Sequence, residues 1–117
     1  MEILYKSTRG TGECVTASQA ILKGLSDDGG LFVPTQIPVL DIPVEKLASM
    51  TYQEIAYEVM SRFLTDFTEG ELKACIERAY DSKFDTKEIA PVKKADGAYY
   101  LELFHGATIA FKDMALS

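Results

Sequence analysis

The 117 residues contain no tryptophan, one histidine and two cysteines. Cys14 and Cys75 are too few for a disulfide framework or a zinc site, and read as reduced thiols of a cytoplasmic protein. His105, the only histidine, excludes a histidine metal site built within the chain, so no metal ligands are expected. No apolar run approaches the roughly 18 residues of a membrane span. Residues 1–6 carry Glu2 and no apolar stretch, unlike a signal peptide. Positive charge is also scarce: Lys+Arg number 12 against 18 Asp+Glu, a net charge of −6. Such a chain repels nucleic acid and anionic lipid, leaving only local basic sites for small anions. There is no internal repeat and no low-complexity segment. What is present is ordinary for a globular domain: 47% hydrophobic and 26% charged residues, in a length that suits one domain with a real core.

Periodicity predicts an α+β chain, a helical pair with short strands. Ile3, Leu4 and Tyr5 form an apolar run before the polar turn 7–12 and predict a short strand. Thr16 and Gln19 match a capping box ahead of a helix over 17–25. Residues 26–30 are a turn, 31–33 a short extended piece before Pro34, and 34–43 a proline-rich loop ending at a short helix near 44–49. Thr51 with Glu54 caps a helix over 51–66, whose stripe includes Tyr52, Ala56, Met60, Phe63 and Phe67. Thr68 with Glu71 caps another over 69–82, with Leu72, Cys75, Ile76 and Tyr80 on its apolar face. The short link predicts an antiparallel pair, with Phe63 facing Leu72, Ile76 or Tyr80 and Cys75 in the core. Asp96-Gly97 predicts a hairpin turn. Residues 99–104 are so apolar that they predict a strand buried on both faces, as in a parallel sheet. Residues 111–117 read as a helix beginning with no stop signal, so the chain is expected to be a fragment of a longer polypeptide.

Few residues point to chemistry. The turn Thr8-Arg9-Gly10-Thr11-Gly12 could hold an anion, although a solvated turn is the plainer reading. Asp27-Asp28-Gly29-Gly30 lacks the spaced ligands of a calcium loop. Cys14 has no nearby histidine and no reason to be reactive. Residues 105–113 are different, because a strand there runs into a helix start, where active sites of open α/β sheets sit. Lys112, in the company of Ile109, Phe111 and Met114, would be pushed by burial and by the helix terminus toward a neutral, nucleophilic amine. An exposed helix-start lysine is the plainer alternative. His105 could be a base, a ligand or a structural residue.

His105-Gly106-Ala107-Thr108-Ile109-Ala110-Phe111-Lys112-Asp113 resembles the cofactor-attachment segment of the threonine synthase family, close to H-G-P-T-x-x-F-K-D. Alanine at 107 replaces the usual proline. Tyr5-Lys6-Ser7-Thr8-Arg9-Gly10, Ala20-Ile21-Leu22-Lys23-Gly24-Leu25 and Asp28-Gly29-Gly30-Leu31-Phe32-Val33-Pro34 resemble the same family in the same order. The resemblance implies a pyridoxal-phosphate-dependent lyase of the tryptophan synthase β-like α/β fold (fold type II). Its members convert O-phospho-L-homoserine and water into L-threonine and phosphate. It implies that Lys112 is catalytic and holds pyridoxal 5′-phosphate covalently, with Phe111, Asp113, His105 and Thr108 lining the cofactor site. It also implies an N-terminal domain over 1–97 and the start of the cofactor domain over 98–117. The glycine-rich phosphate cradle would lie outside this chain, so the 117 residues alone are expected to be inactive and to lack bound cofactor. The unpaired apolar edge of strand 99–104 is expected either to self-associate or to leave residues 105–117 poorly ordered, with Lys112 solvent-exposed. A threonine-synthase-like module that has lost catalysis is the alternative.

Overall fold

A computed structural model describes residues 1–116. The elements in order are β1 (Tyr5–Ser7), α1 (Ala17–Lys23), β2 (Phe32–Pro34), α2 (Val44–Ala48), α3 (Tyr52–Phe63), α4 (Glu69–Ala79), β3 (Val92–Ala95), β4 (Ala98–Leu101) and α5 (Asp113–Leu116). The strands make two separate antiparallel pairs, β1 with β2 and β3 with β4. The expected α+β mixture is present.

Three helices begin where threonine caps were predicted. Thr16, Thr51 and Thr68 each accept a backbone N–H from the third helical residue, and Gln19, Glu54 and Glu71 reach back to the cap N–H. Such reciprocal caps satisfy donors that a helix start otherwise leaves open. The helices stop earlier than the apolar pattern does. α3 ends at Phe63 and α4 at Ala79, with Leu64 and Tyr80 as C-caps outside helical geometry. Their side chains still pack inward, so the hydrophobic stripe outlasts the helix.

The main core lies between α3, α4 and the loop after α4. Leu72, Ile76, Tyr80, Phe84 and Ile89 are buried, and Ala56, Met60, Leu64 and Phe67 pack on them from α3 and its exit. Phe63 is not among the residues packed on this core and is only half-buried. The helix turns 3.6 residues per cycle, so Met60 and Leu64 own the inward face and Phe63 sits to one side. Cys75 is exposed rather than buried, since Leu72 and Ile76 hold the centre of the α4 stripe and leave position 75 at its margin.

The C-terminal strand departs most from expectation. β4 is Ala98–Leu101, not 99–104, and it pairs antiparallel with β3, from Val92↔Leu101 to Ala95↔Ala98. Asp96 and Gly97 both have positive φ, 49° and 77°, the geometry of a two-residue hairpin turn that matches strand twist. The partner strand therefore lies just upstream, across the two-residue turn 96–97, and no parallel neighbour is used among the described residues. All four β4 residues are exposed, Tyr99 at 72%. The whole surface measures 8154 Å², against about 6,300 Å² for a compact chain of this mass. Exposed apolar side chains occur along the whole chain, and near the C-terminus they include Tyr99, Tyr100, Leu101, Phe104, Ile109, Phe111 and Leu116. No helix among the described residues is long and apolar enough to cross a membrane.

Candidate active site around Lys112

Residues 105–116 form a chain of turns closed by a single helical turn. The Ile109 N–H donates to the Gly106 carbonyl, and the Asp113 N–H to that of Ala110. Ile109 has φ of 60°, an uncommon conformation for a β-branched residue that surrounding bonds must hold.

Asp113 is the brace. It is 7% exposed, and its carboxylate accepts the Thr108 N–H at 2.9 Å and the Thr108 hydroxyl at 2.8 Å. The Thr108 hydroxyl, with smaller help from backbone N–H groups and the Lys112 charge, holds the Asp113 carboxyl below its ordinary range although burial opposes this. A Cβ added at Gly106 would meet the Asp113 Cβ at 2.5 Å and its Cγ at 2.8 Å. Glycine at 106 is what lets the two turns touch.

His105 is held on both sides. Nδ1 lies 2.5 Å from Asp85 Oδ1, and Nε2 lies 2.6 Å from Glu102 Oε2. The Asp85 N–H also donates to the His105 carbonyl at 3.0 Å. Glu102 first and Asp85 second raise the imidazole's pKa above its ordinary value. A second anchor comes from the core, where the buried Tyr80 hydroxyl donates to the Met114 carbonyl at 2.7 Å. The Tyr80 ring packs edge-on against Tyr52 at 4.9 Å, and burial beside Tyr80 pushes the Tyr52 phenol up to about 12.

Lys112 immediately precedes α5 and is exposed. Its amine makes no hydrogen bond or ion pair among the described residues. The expected apolar enclosure is absent within this chain. Ile109 and Phe111 are 75% and 74% exposed, and only Met114 turns toward the core. The described part of α5 is one turn, too short for a developed helix dipole, and Ser117 lies outside the described residues. Thus Lys112, Thr108 and Asp113 come together on one turn, His105 supports it from behind, and the Phe111 ring faces outward.

The segment 105–113 was legible as a motif, but its supports were not. Tyr80 was visible only as a stripe residue. Asp85 carried no signal, because its partner lies 20 residues away and is reached through the fold. Glu102, three residues before His105, is a local pair that the strand reading of 99–104 concealed.

The N-terminal turn is a closed structure of its own. Asp28 accepts the Ser7 hydroxyl at 2.6 Å, the Gly30 N–H at 2.9 Å and the Thr11 hydroxyl. Arg9 donates to the Asp28 carbonyl at 2.6 Å. The Ser7 hydroxyl leads these contacts in lowering the Asp28 pKa. The Ser7 and Thr11 hydroxyls are spent on the Asp28 carboxylate and one Arg9 nitrogen on the Asp28 carbonyl, which favours the plainer reading.

Residues 4–80 match the family model described as threonine synthase N terminus. The chain belongs to this family. It is 43% identical to threonine synthase of Schizosaccharomyces pombe over 98% of its own length and 23% of the relative's. It is 41% identical to human threonine synthase-like 1, over 85% of this chain and 14% of that protein. Two solved structures superpose closely. The yeast threonine synthase crystal structure matches with a TM-score of 0.86 and 34% identity, covering 97% of this chain and 24% of that one. The PLP-bound threonine synthase of Brucella melitensis matches with a TM-score of 0.83 and 32% identity, covering 96% and 25%. The chain thus spans about a quarter of the length of these threonine synthases.

Proposed function

We propose that this chain supplies the N-terminal domain and the catalytic lysine of a threonine synthase in the cytoplasm. The whole enzyme would convert O-phospho-L-homoserine and water into L-threonine and phosphate. Residues 1–97 form the N-terminal domain and 98–117 open the cofactor domain, with the β3–β4 hairpin bridging the two. The exposed apolar surface of 99–116 and the fourfold greater length of the relatives support this division.

The observation that carries the proposal is the segment 105–113, with Lys112 on a turn braced by Asp113 and Thr108. An accessible primary amine suits the aldehyde of pyridoxal 5′-phosphate, so the residue fits the cofactor. Lys112 would hold the group, which supplies an electron sink for charge developing on the substrate. The lysine amine moves protons at the substrate's α and β carbons. Asp113 and Thr108 keep the lysine's backbone in place, and Phe111 offers an apolar surface beside it. His105 supports the turn.

Lys112→Ala in the whole enzyme tests this. Turnover should be abolished while the fold persists, and near-normal turnover would refute the assignment. The likeness to human threonine synthase-like 1 keeps a second reading in view, a non-catalytic module. An intact enzyme that binds no pyridoxal phosphate and forms no threonine would favour it.

A further inference from the structure

Both ring nitrogens of His105 face carboxylate oxygens, at 2.5 Å and 2.6 Å. Ionised carboxylates only accept, and a neutral imidazole has a single N–H to give. The arrangement is satisfied on both sides only by the imidazolium. Among the described residues, Glu102 and Asp85 are the charged groups that face the ring, and Phe104 lies over it at 4.5 Å. The ring is 14% exposed and the Glu102 side chain 22%, so that contact is screened less than a surface ion pair, whereas the Asp85 carboxylate, 74% exposed, is the more screened of the two.

The clamp is continuous with the lysine turn. Glu102 is fixed to the preceding loop by its N–H on the Pro91 carbonyl at 2.9 Å, and Asp85 grips the His105 carbonyl through its own N–H. The next residue, Gly106, lies against Asp113 with no room for a methyl group. Asp113 in turn holds Thr108 and adjoins Lys112. Moving His105 therefore moves the surface on which the lysine turn rests.

We propose that His105 is a positioning residue for Lys112, acting as an imidazolium that ties β4's exit to the loop after α4 and so fixes the turn carrying Gly106, Asp113 and the lysine. The catalytic meaning rests on Lys112 being the cofactor lysine, whereas the clamp itself does not. Removing the proton leaves one nitrogen lone pair facing a carboxylate. One of the two links then breaks, and the 105–112 turn loosens as pH rises.

The chain's single histidine gives a direct test, nuclear magnetic resonance titration of the 117-residue protein. The His105 ring should titrate above the ordinary 6.5. The amide signals of Gly106, Thr108 and Lys112 should shift with the same midpoint. Glu102→Gln and Asp85→Asn should each lower that midpoint, and neither variant removes a buried side chain. A midpoint at or below 6.5, a midpoint unmoved by both variants, or a ring titration that leaves the three amides still would each overturn the proposal. In the whole enzyme, His105→Asn should lower kcat by about tenfold to a hundredfold through misplacement of the lysine. It should also remove a decline in turnover at alkaline pH that the parent shows. If the amides titrate as expected but Lys112 carries no pyridoxal phosphate, the clamp stands and the assignment of function fails.

Discussion

Replacing Gly106 with alanine tests whether the lysine turn is as tightly fitted as described. The added methyl carbon would lie 2.5 Å from the Asp113 Cβ and 2.8 Å from its Cγ, where ordinary contact begins at 3.4 Å. The φ of Gly106 is not in the left-handed region, so the backbone tolerates alanine and the collision alone acts. Asp113 cannot swing away freely, because its two oxygens hold the Thr108 N–H and hydroxyl. The turns must part by about 1 Å, a displacement that near catalytic groups can cost about a hundredfold in rate. Overpacking of this kind destabilises by about 1–3 kcal/mol. Gly70 is the control, lying in the first turn of α4 with nothing within 4 Å of an added Cβ. Gly70→Ala should stabilise by about 0.4–1 kcal/mol, because alanine loses less backbone entropy on entering a helix. Urea denaturation of the two variants should therefore give opposite signs. Gly106→Ala with an unchanged midpoint would show that Asp113 does not press on residue 106, and would refute the fitted turn.

Ile76→Ala, at 3% exposure in the main core, should cost about 2–5 kcal/mol in urea denaturation. Phe63→Ala should cost less, and the reverse order would mean that α3 is rotated from its described face. Asp113 and Asp28 have carboxyl pKa values below the ordinary 3.8. Their stabilisation is therefore complete above that value and is lost as pH falls through their lower folded values. Acid titration followed by circular dichroism should show this loss, made shallower by Thr108→Val and by Ser7→Ala, and identical curves for the variants would contradict it. Thr68→Ala should cost about 1 kcal/mol by removing the α4 cap, and a neutral result in thermal denaturation would discount the capping box. The 117-residue chain alone should turn over no O-phospho-L-homoserine. It should also associate at high concentration through the exposed Tyr99, Tyr100 and Leu101, whereas a monomer by light scattering would refute that association.

Local signals carried the sequence reading furthest. Each Thr-x-x-Glu or Thr-x-x-Gln box marked a real helix start, because both halves of a cap lie within one turn of chain. Asp96-Gly97 marked a real hairpin for the same reason. Burial was less legible. Tyr99, Tyr100 and Leu101 read as interior residues, yet the hairpin leaves them on the surface, since apolar character records what a strand can bury and not what this chain has to bury it with. Phe63 and Cys75 fit their helical stripes within one position, which is the tolerance at which a 3.6-residue period stops discriminating. The motif at 105–113 located the candidate site, but the supports of that site are separated by 20 residues for His105 and Asp85 and by 34 for Tyr80 and Met114. No local pattern encodes such pairs.

The central claim is that Lys112 is the cofactor lysine. Its most direct test is to load the whole enzyme with pyridoxal 5′-phosphate, reduce with borohydride and map the modified peptide by mass spectrometry. The predicted result is one pyridoxyl group on Lys112, absent from Lys112→Ala. A label on another lysine, or no label on an enzyme that still forms threonine, would contradict the account.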